Sequence, residues 1–308
     1  VPGKNISANL LAFNGKRNTL EGRKMYRLLL SIGVTLVLSN AVFGDWSTPV
    51  QVSGLNSAYI ESASYISEDG LTAYINRGST PDHYVFQIYK GTRTSINDPF
   101  TVSRVSELSS YLHTTYAWQS TDGLRLYYNS DWSFKMSTRQ SVNATWSSGS
   151  YITSLNNIGR VETLKLSSDE LTAIFDSPDG PNVKGGYDMY IATRTDKNAP
   201  FANIRLLTEL NTSAHDNGAS ITGDGLTIFF QSTRSGQMFC YKATRNSLAD
   251  AFGTPEQLPF AAGFGIPTIS ADGKTLLLAY NNDIYISSIP EPATMMLLGL
   301  GALCLRKK

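Results

Sequence analysis

The chain of 308 residues is long enough for one large domain or two ordinary ones, and it combines 17% charged and 11% aromatic residues with 25 Gly and 16 Tyr. That mixture suits short strands joined by turns and disfavours long solvent-facing helices, which draw on Glu, Lys and Ala. The formal charge of +1 hides an acidic body, because residues 45–289 carry 17 Lys and Arg against 23 Asp and Glu, a net −6, which excludes the basic footprint that nucleic acid requires.

Residues 1–24 show no apolar periodicity and precede Met25 in a start codon's place, so they read as an over-extended N-terminus. Residues 25–44 follow the pattern of a secretory signal: Arg27 supplies a positive start, Leu28–Leu38 an apolar run, and Val42 and Gly44 the small residues of a cleavage site before Asp45. The run is too short for a comfortable membrane-spanning helix.

From residue 45 to 289 one segment recurs five times. A short run ending in Ser or Thr is followed by Asp and then an apolar run, as in 64–75, 117–128, 164–175, 219–230 and 267–278. The repeat aspartates Asp69, Asp122, Asp169, Asp224 and Asp272 are spaced 53, 47, 55 and 48 residues apart. An aromatic marker at Trp46, Phe100, Trp146, Phe201 and Phe252 keeps nearly the same rhythm, at 54, 46, 55 and 51. Asp-Gly between two such runs predicts a tight hairpin, since its turn needs positive φ. Glu170 replaces the glycine in the third copy and predicts a looser turn, or one of another type, there. A third strand ends in Thr-Arg at Arg93, Arg194 and Arg245, and a fourth follows each aromatic marker.

Four antiparallel strands in about 50 residues make a propeller blade. The chain opens on a lone fourth-type strand, 46–52, and ends on a blade with only three, so pairing the first strand onto the last blade closes a ring of five. An open array, or six blades with one degenerate copy, also accommodates the spacing. The expected fold is therefore all-β, a β-propeller of five four-stranded blades closed by the N-terminal strand, plus a C-terminal hydrophobic helix. The repeats, from the Ser-x-Asp-Gly hairpin to the Asp283-Ile-Tyr strand, resemble the WD40-like, TolB-type propeller repeat, which implies a scaffold and no single activity.

The five repeat aspartates, one per blade, read as turn-shaping residues, and the Thr-Arg endings as structural. Cys240 reads as a small buried residue, with no disulfide framework implied. Chemistry is sought in the loops leading to the first strand of each blade, which carry Glu61, His113, Glu162, His215 and Asp216. If the chain is an enzyme, Glu61, Glu162 and Asp216 are its candidate glycan-cleaving carboxylates. Five-bladed glycosidases place acids on the innermost strands, and the inner-strand segments here, such as 64–67 and 164–167, contain none. A catalytic role is therefore not the leading expectation. Tyr59, Tyr111, His113, Tyr116, Trp132 and His215 are the candidate ligand-binding residues, since a ring with a polar tip suits sugar stacking, although most aromatics of such a fold seal the core between blades. The three histidines form no ligand pair and no phosphate loop or dinucleotide fingerprint occurs, so neither a metal nor another cofactor is expected.

Residues 290–308 open on Pro290-Glu291-Pro292, continue through an apolar stretch over 293–305 and end on Arg306-Lys307-Lys308. Thirteen apolar residues span about 20 Å as a helix, against ~30 Å of hydrocarbon, and the basic trio fits a cytoplasmic end. This tripartite ending resembles the PEP-CTERM sorting signal of Gram-negative bacteria. The resemblance implies recognition of Pro290–Pro292 by an exosortase, anchoring at least in transit through 293–305, and delivery to the cell surface or extracellular matrix. The leading expectation is a surface-displayed, non-enzymatic propeller that binds polysaccharide or another surface protein. A glycan-cleaving enzyme and a purely structural matrix component are the alternatives.

Overall fold

A computed structural model describes residues 46–80, 83–108 and 113–290. The expected signal segment with its expected cleavage position Gly44–Asp45, Tyr111, Glu291, Pro292 and the apolar tail lie outside the described residues. In chain order, β1 (Val50–Gln51) is followed by four complete sets of four strands. Blade 1 contains β2 (Glu61–Ile66), β3 (Thr72–Thr80), β4 (His83–Thr92) and β5 (Thr101–Arg104). Blade 2 contains β6 (Thr114–Gln119), β7 (Arg125–Ser130), β8 (Ser133–Thr138) and β9 (Ser150–Tyr151). Blade 3 contains β10 (Leu164–Leu166), β11 (Thr172–Ser177), β12 (Asp188–Thr193) and β13 (Ala202–Leu206). Blade 4 contains β14 (Asp216–Ile221), β15 (Thr227–Ser232), β16 (Phe239–Thr244) and β17 (Glu256–Gln257). Blade 5 has β18 (Gly265–Ile269), β19 (Thr275–Tyr280) and β20 (Asp283–Ser288), and β1 joins it as the outer strand, pairing Val50 with Ile286 and Gln51 with Tyr285. The five-bladed, ring-closed reading is the one the structure adopts.

The second strand of every blade is buried on both faces, and its period of two divides the core. In β11, Ala173 and Phe175 pack toward blade 2 and Ile174 toward blade 4. In β15, Ile228 and Phe230 face blade 3 and Phe229 faces blade 5. In β3, Ala73 and Ile75 face blade 5 while Tyr74 faces blade 2, so an apolar cluster fills each junction around the ring.

The repeat signature is the hairpin that joins first and second strands. In all five, a Ser or Thr hydroxyl donates to the aspartate. That carboxylate also accepts the backbone N–H two residues on, at 2.9 Å from Leu71, Leu124, Leu171 and Leu226 and 3.1 Å from Lys274. The residue between has positive φ, 69° to 74° at Gly70, Gly123, Gly225 and Gly273. The looser turn expected at Glu170 is not found: Glu170 takes φ 62° and the same turn, because its buried carboxylate is held by Arg125 at 2.7 and 2.8 Å and by Tyr127 at 2.8 Å. The arginines that end the third strands brace these turns. Arg93, Arg139, Arg194 and Arg245 donate Nε to the carbonyls of residues 70, 123, 170 and 225 at 2.6–2.9 Å. Their guanidinium groups lie over Phe100, Trp146, Phe201 and Phe252, 4.2–4.7 Å from the ring centroids, so the aromatic markers and the arginines form one device.

Candidate functional site

Antiparallel pairing places the Asp turns at one end of the propeller and the starts of the inner strands at the other. At that second end four inner strands, β2, β6, β14 and β18, carry a bulge. Tyr116, Gly218 and Ile266 occupy such bulges at φ 54°, 62° and 46°. Each bulge N–H is accepted by a side chain from the second strand of the preceding blade, at 2.7 Å: Tyr116 by Asn76, Gly218 by Asp176 and Ile266 by Gln231. Asn76, Asn129, Asp176 and Gln231 are the fifth residues of β3, β7, β11 and β15. Alternation turns that position toward the next blade, where a polar side chain can satisfy the N–H a bulge leaves unpaired. Strand β10 is bulge-free, and there Asn129 instead donates to the carbonyl of Val161 at 2.6 Å.

Two adjoining cavities open at this end, of about 300 and 180 Å³, and both are lined by Phe86, Thr115 and Tyr116. The larger is completed by Ile266, Tyr280, Asn281 and Asn282 among others, the smaller by His113, Asn129, Trp132 and Glu162. Phe86 reaches the mouth because β3 and β4 run nine and ten residues, against six for the matching strands of blades 2, 3 and 4. Its ring lies 6.3 Å from that of His113.

Trp132 occupies the second position of the two-residue turn between β7 and β8, with Asp131 and Trp132 at φ 52° and 63°. The equivalent turn of blade 5 is Asn281–Asn282, at 49° and 70°. Asparagine enters the left-handed region readily, whereas a side chain without a short polar group costs about 1–2 kcal/mol there. The indole is nevertheless 39% exposed, with the Arg160 guanidinium 5.3 Å from its ring and Arg160 held by Asp179 at 2.5 and 2.9 Å.

Glu162 is the one acid of the smaller cavity, and the Tyr116 hydroxyl donates to it at 3.1 Å. Burial, aided by the negative charge of Asp176, pushes its carboxyl up to about 7. Asp176 is fully buried, accepts from the Thr163 N–H and hydroxyl at 2.9 and 2.7 Å, and is raised by the same desolvation. Lys165, on β10, runs through the channel and donates to the Ser64 carbonyl of blade 1, and its burial lowers the ammonium to about 7.

The other candidate acids are engaged by neighbouring side chains. Glu61 and Asp216 are the first residues of β2 and β14, so the inner strands begin earlier than expected and do carry acids, although neither is free. Glu61 is 1% exposed, bonds Arg77 at 2.8 Å and accepts the Ser57 hydroxyl, even though it borders the larger cavity. Asp216 lines neither cavity. Burial opposes its charge, but hydrogen bonds from Ser232, Arg234 and Thr212 hold its carboxyl below the ordinary value. Their arginine partners sit on or just beyond the adjacent strand, a pairing that a search of the loops alone overlooks. Tyr59, 38% exposed, and His215, exposed beside Tyr187 at 6.0 Å, line neither cavity. His113, Tyr116 and Trp132 are thus brought together with Glu162. Asn76, Gln231 and Tyr280 are lining residues missed from the sequence, although the fifth-position alternation could have located the first two. Pro290 is the last described residue of the sorting motif. Among the described residues no group of three or more His, Cys, Asp or Glu could hold a metal ion, and no helix is long and apolar enough to cross a membrane.

Residues 288–308 match the PEP-CTERM protein-sorting motif, which indicates export and anchoring in a Gram-negative bacterium and implies exosortase processing. No curated protein sequence matches the chain. Among solved structures, an α-L-arabinofuranosidase from Podospora anserina in complex with cellotriose is similar at 12% identity and TM-score 0.53, over 81% of this chain and 98% of that one. The catalytic domain of a Coprinopsis cinerea GH62 α-L-arabinofuranosidase aligns at 13% identity and TM-score 0.53, over 79% and 96%. TolB from Acinetobacter baumannii aligns at 16% identity and TM-score 0.45, over 72% of this chain and 51% of that one. At these identities the likeness to the two arabinofuranosidases is one of fold. The chain is an exported five-bladed propeller with a sorting signal.

Proposed function

We propose that this propeller is a non-enzymatic glycan-binding protein displayed at the cell surface or in the extracellular matrix, and that it holds polysaccharide in the cleft at the channel mouth. Residues 25–44 act as its signal peptide, 45–289 as the binding body, and 293–305 as an anchor in transit. The observation that carries the reading is Trp132. A half-exposed indole stands at a left-handed turn position where the sister blade uses asparagine, beside His113, Tyr116 and the hydroxyl-bonded carboxylate of Glu162. Backbone strain of this kind persists where the surroundings enforce it and clusters at ligand sites. The ring offers an apolar face for a sugar, and the carboxylate and hydroxyl offer its hydrogen bonds.

One observation favours the enzymatic alternative: the Glu162 carboxyl is raised to about 7, the range of a general acid. Glycosidic cleavage also needs a second carboxylate about 5–10 Å away. Glu61, the other acid bordering the cleft, is tied to Arg77 and Ser57. The full chain in detergent, incubated with a panel of bacterial and plant polysaccharides, is expected to retain a glycan without releasing reducing ends. Trp132→Ala should weaken that retention by roughly 10–100-fold. Release of reducing ends that vanishes in Glu162→Gln would make the protein an enzyme.

A further inference from the structure

The cleft has a second ring that the binding reading does not use. Tyr280 lines the larger cavity, backed by Phe264 stacked at 4.6 Å and by Tyr285 edge-on at 5.9 Å. Its rear is therefore filled, and it stays partly exposed at the cavity wall. Each cavity thus has a ring that the other lacks, Trp132 in the smaller and Tyr280 in the larger. Between them stand Tyr116 and Phe86, which line both. Tyr116 is pinned at its N–H by Asn76 and at its hydroxyl by Glu162, so the ridge is rigid on that side.

The charges around the cleft are equally specific. Among the described lining residues there is no lysine or arginine. Arg77, behind Glu61, is occupied by that carboxylate and by the Leu55 carbonyl at 2.9 Å, and the Lys165 ammonium is held by Ser64. Glu61 is neutralised by Arg77, and Glu162, the acid that faces the smaller cavity, repels an incoming anion wherever it is ionised. The guanidinium beside Trp132, that of Arg160, is already paired with Asp179 at 2.5 and 2.9 Å, so a uronate, phosphate or sulfate would meet no unpaired counter-charge there. Uncharged hydroxyls meet a different lining, with the amides of Asn281 and Asn282 exposed at the rim and Thr115 on the ridge.

Building on the binding reading, we infer that the ligand is an uncharged oligosaccharide of at least two sugar units, stacked on Trp132 at one end and on Tyr280 at the other and crossing the Tyr116–Phe86 ridge. The smaller cavity alone takes one unit, and affinity comes from joining the two platforms on one chain.

Titration calorimetry of the full chain in detergent tests this, with glucose, cellobiose, cellotetraose, xylotetraose and maltotetraose as neutral probes and tetragalacturonate as the anionic one. At least one neutral tetrasaccharide should bind on the order of tenfold or more tighter than its monosaccharide, and tetragalacturonate should bind more weakly than that tetrasaccharide. Trp132→Ala and Tyr280→Leu, with folding checked by circular dichroism, should each reduce tetrasaccharide affinity toward the level of the monosaccharide. The wild-type length series decides the matter even where Tyr280→Leu fails to fold. Preferred binding of tetragalacturonate, or equal affinity for one and four units, overturns the two-platform inference and leaves glycan binding in place. Binding of no glycan by the folded chain overturns both.

Discussion

Glu170 stands at φ 62° in a turn where the four sister repeats carry glycine, and its carboxylate is wholly buried among Arg125, Arg194, Lys197 and Tyr127. Two effects of Glu170→Gly compete. Glycine relieves a backbone conformation that disfavours other residues by about 1–2 kcal/mol. It also removes the buried acid that pairs with three cations, and breaking a buried pair costs about 3–5 kcal/mol. The second effect is larger, so restoring the repeat consensus should destabilise the protein by roughly 1–4 kcal/mol. Chemical denaturation of the full chain measures it, and a gain in stability would show that the ion cluster contributes nothing net. The position also shows how repeats diverge: Lys197, one of the three cations, stands where Ile96, Val142 and Leu248 pack beside the glycines of their own turns.

At the scale of elements, the ring depends on its shortest strand. Strand β1 has two residues, yet the segment around it is tied to β20 by Ser47 N–H to the Ser288 carbonyl at 2.9 Å, Val52 N–H to the Ile284 carbonyl at 3.0 Å and the Ser287 hydroxyl to the Ser47 carbonyl at 2.6 Å. Trp46 packs edge-on against Phe229 and Phe260 of blade 4, and Val52 is buried in the cluster between blades 5 and 1. Deleting residues 46–52 removes both anchors, worth about 1.5–3 kcal/mol each by apolar burial, and uncovers β20 as an open edge. The variant should lose several kcal/mol of stability and self-associate at micromolar concentration, as read by denaturation and light scattering. A variant that stays monomeric with an unchanged midpoint would mean that the other strands close the ring by themselves.

Across the whole molecule, Lys165 crosses the channel from blade 3 to blade 1, and with Glu162 and Asp176 it sets the pH response. Glu162 rises from an ordinary 4.5 to about 7, so between those values the folded chain binds the extra proton and stability falls as pH rises. Asp176 acts in the same direction. Lys165 drops from 10.5 to about 7, so in that window the unfolded chain binds the extra proton and stability rises with pH. Together these groups predict a stability minimum near pH 7. Asp216 and Glu170 are depressed, so their support fades only on the acid side, as pH falls through their folded values. Thermal melts from pH 5 to 10 should show the minimum. Glu162→Gln should flatten its acid limb and Lys165→Met its alkaline limb, whereas a wild-type curve that only rises across this range contradicts the assignment.

The blades, their hairpins and the closing strand were legible in the sequence because each rests on local rules. Period-two alternation buries a strand, and an aspartate two residues before a backbone N–H makes the turn at 67–72 as it does at 270–275. The sorting motif at 288–308 is likewise linear. The lining of the cleft was legible in part. His113, Tyr116, Trp132 and Glu162 could be named from their loops, but nothing local distinguished them from Tyr59, His215, Glu61 and Asp216. Glu61 and Asp216 are neutralised by Arg77 and Arg234, which lie 16 and 18 residues away and meet them only through strand register. Tyr116 and Glu162 stand 46 residues apart and touch only because neighbouring blades turn their inner strands toward one channel. Tertiary structure decided which side chains share a cleft, because that convergence depends on the placement of whole blades around the axis, which no pattern within a single repeat encodes.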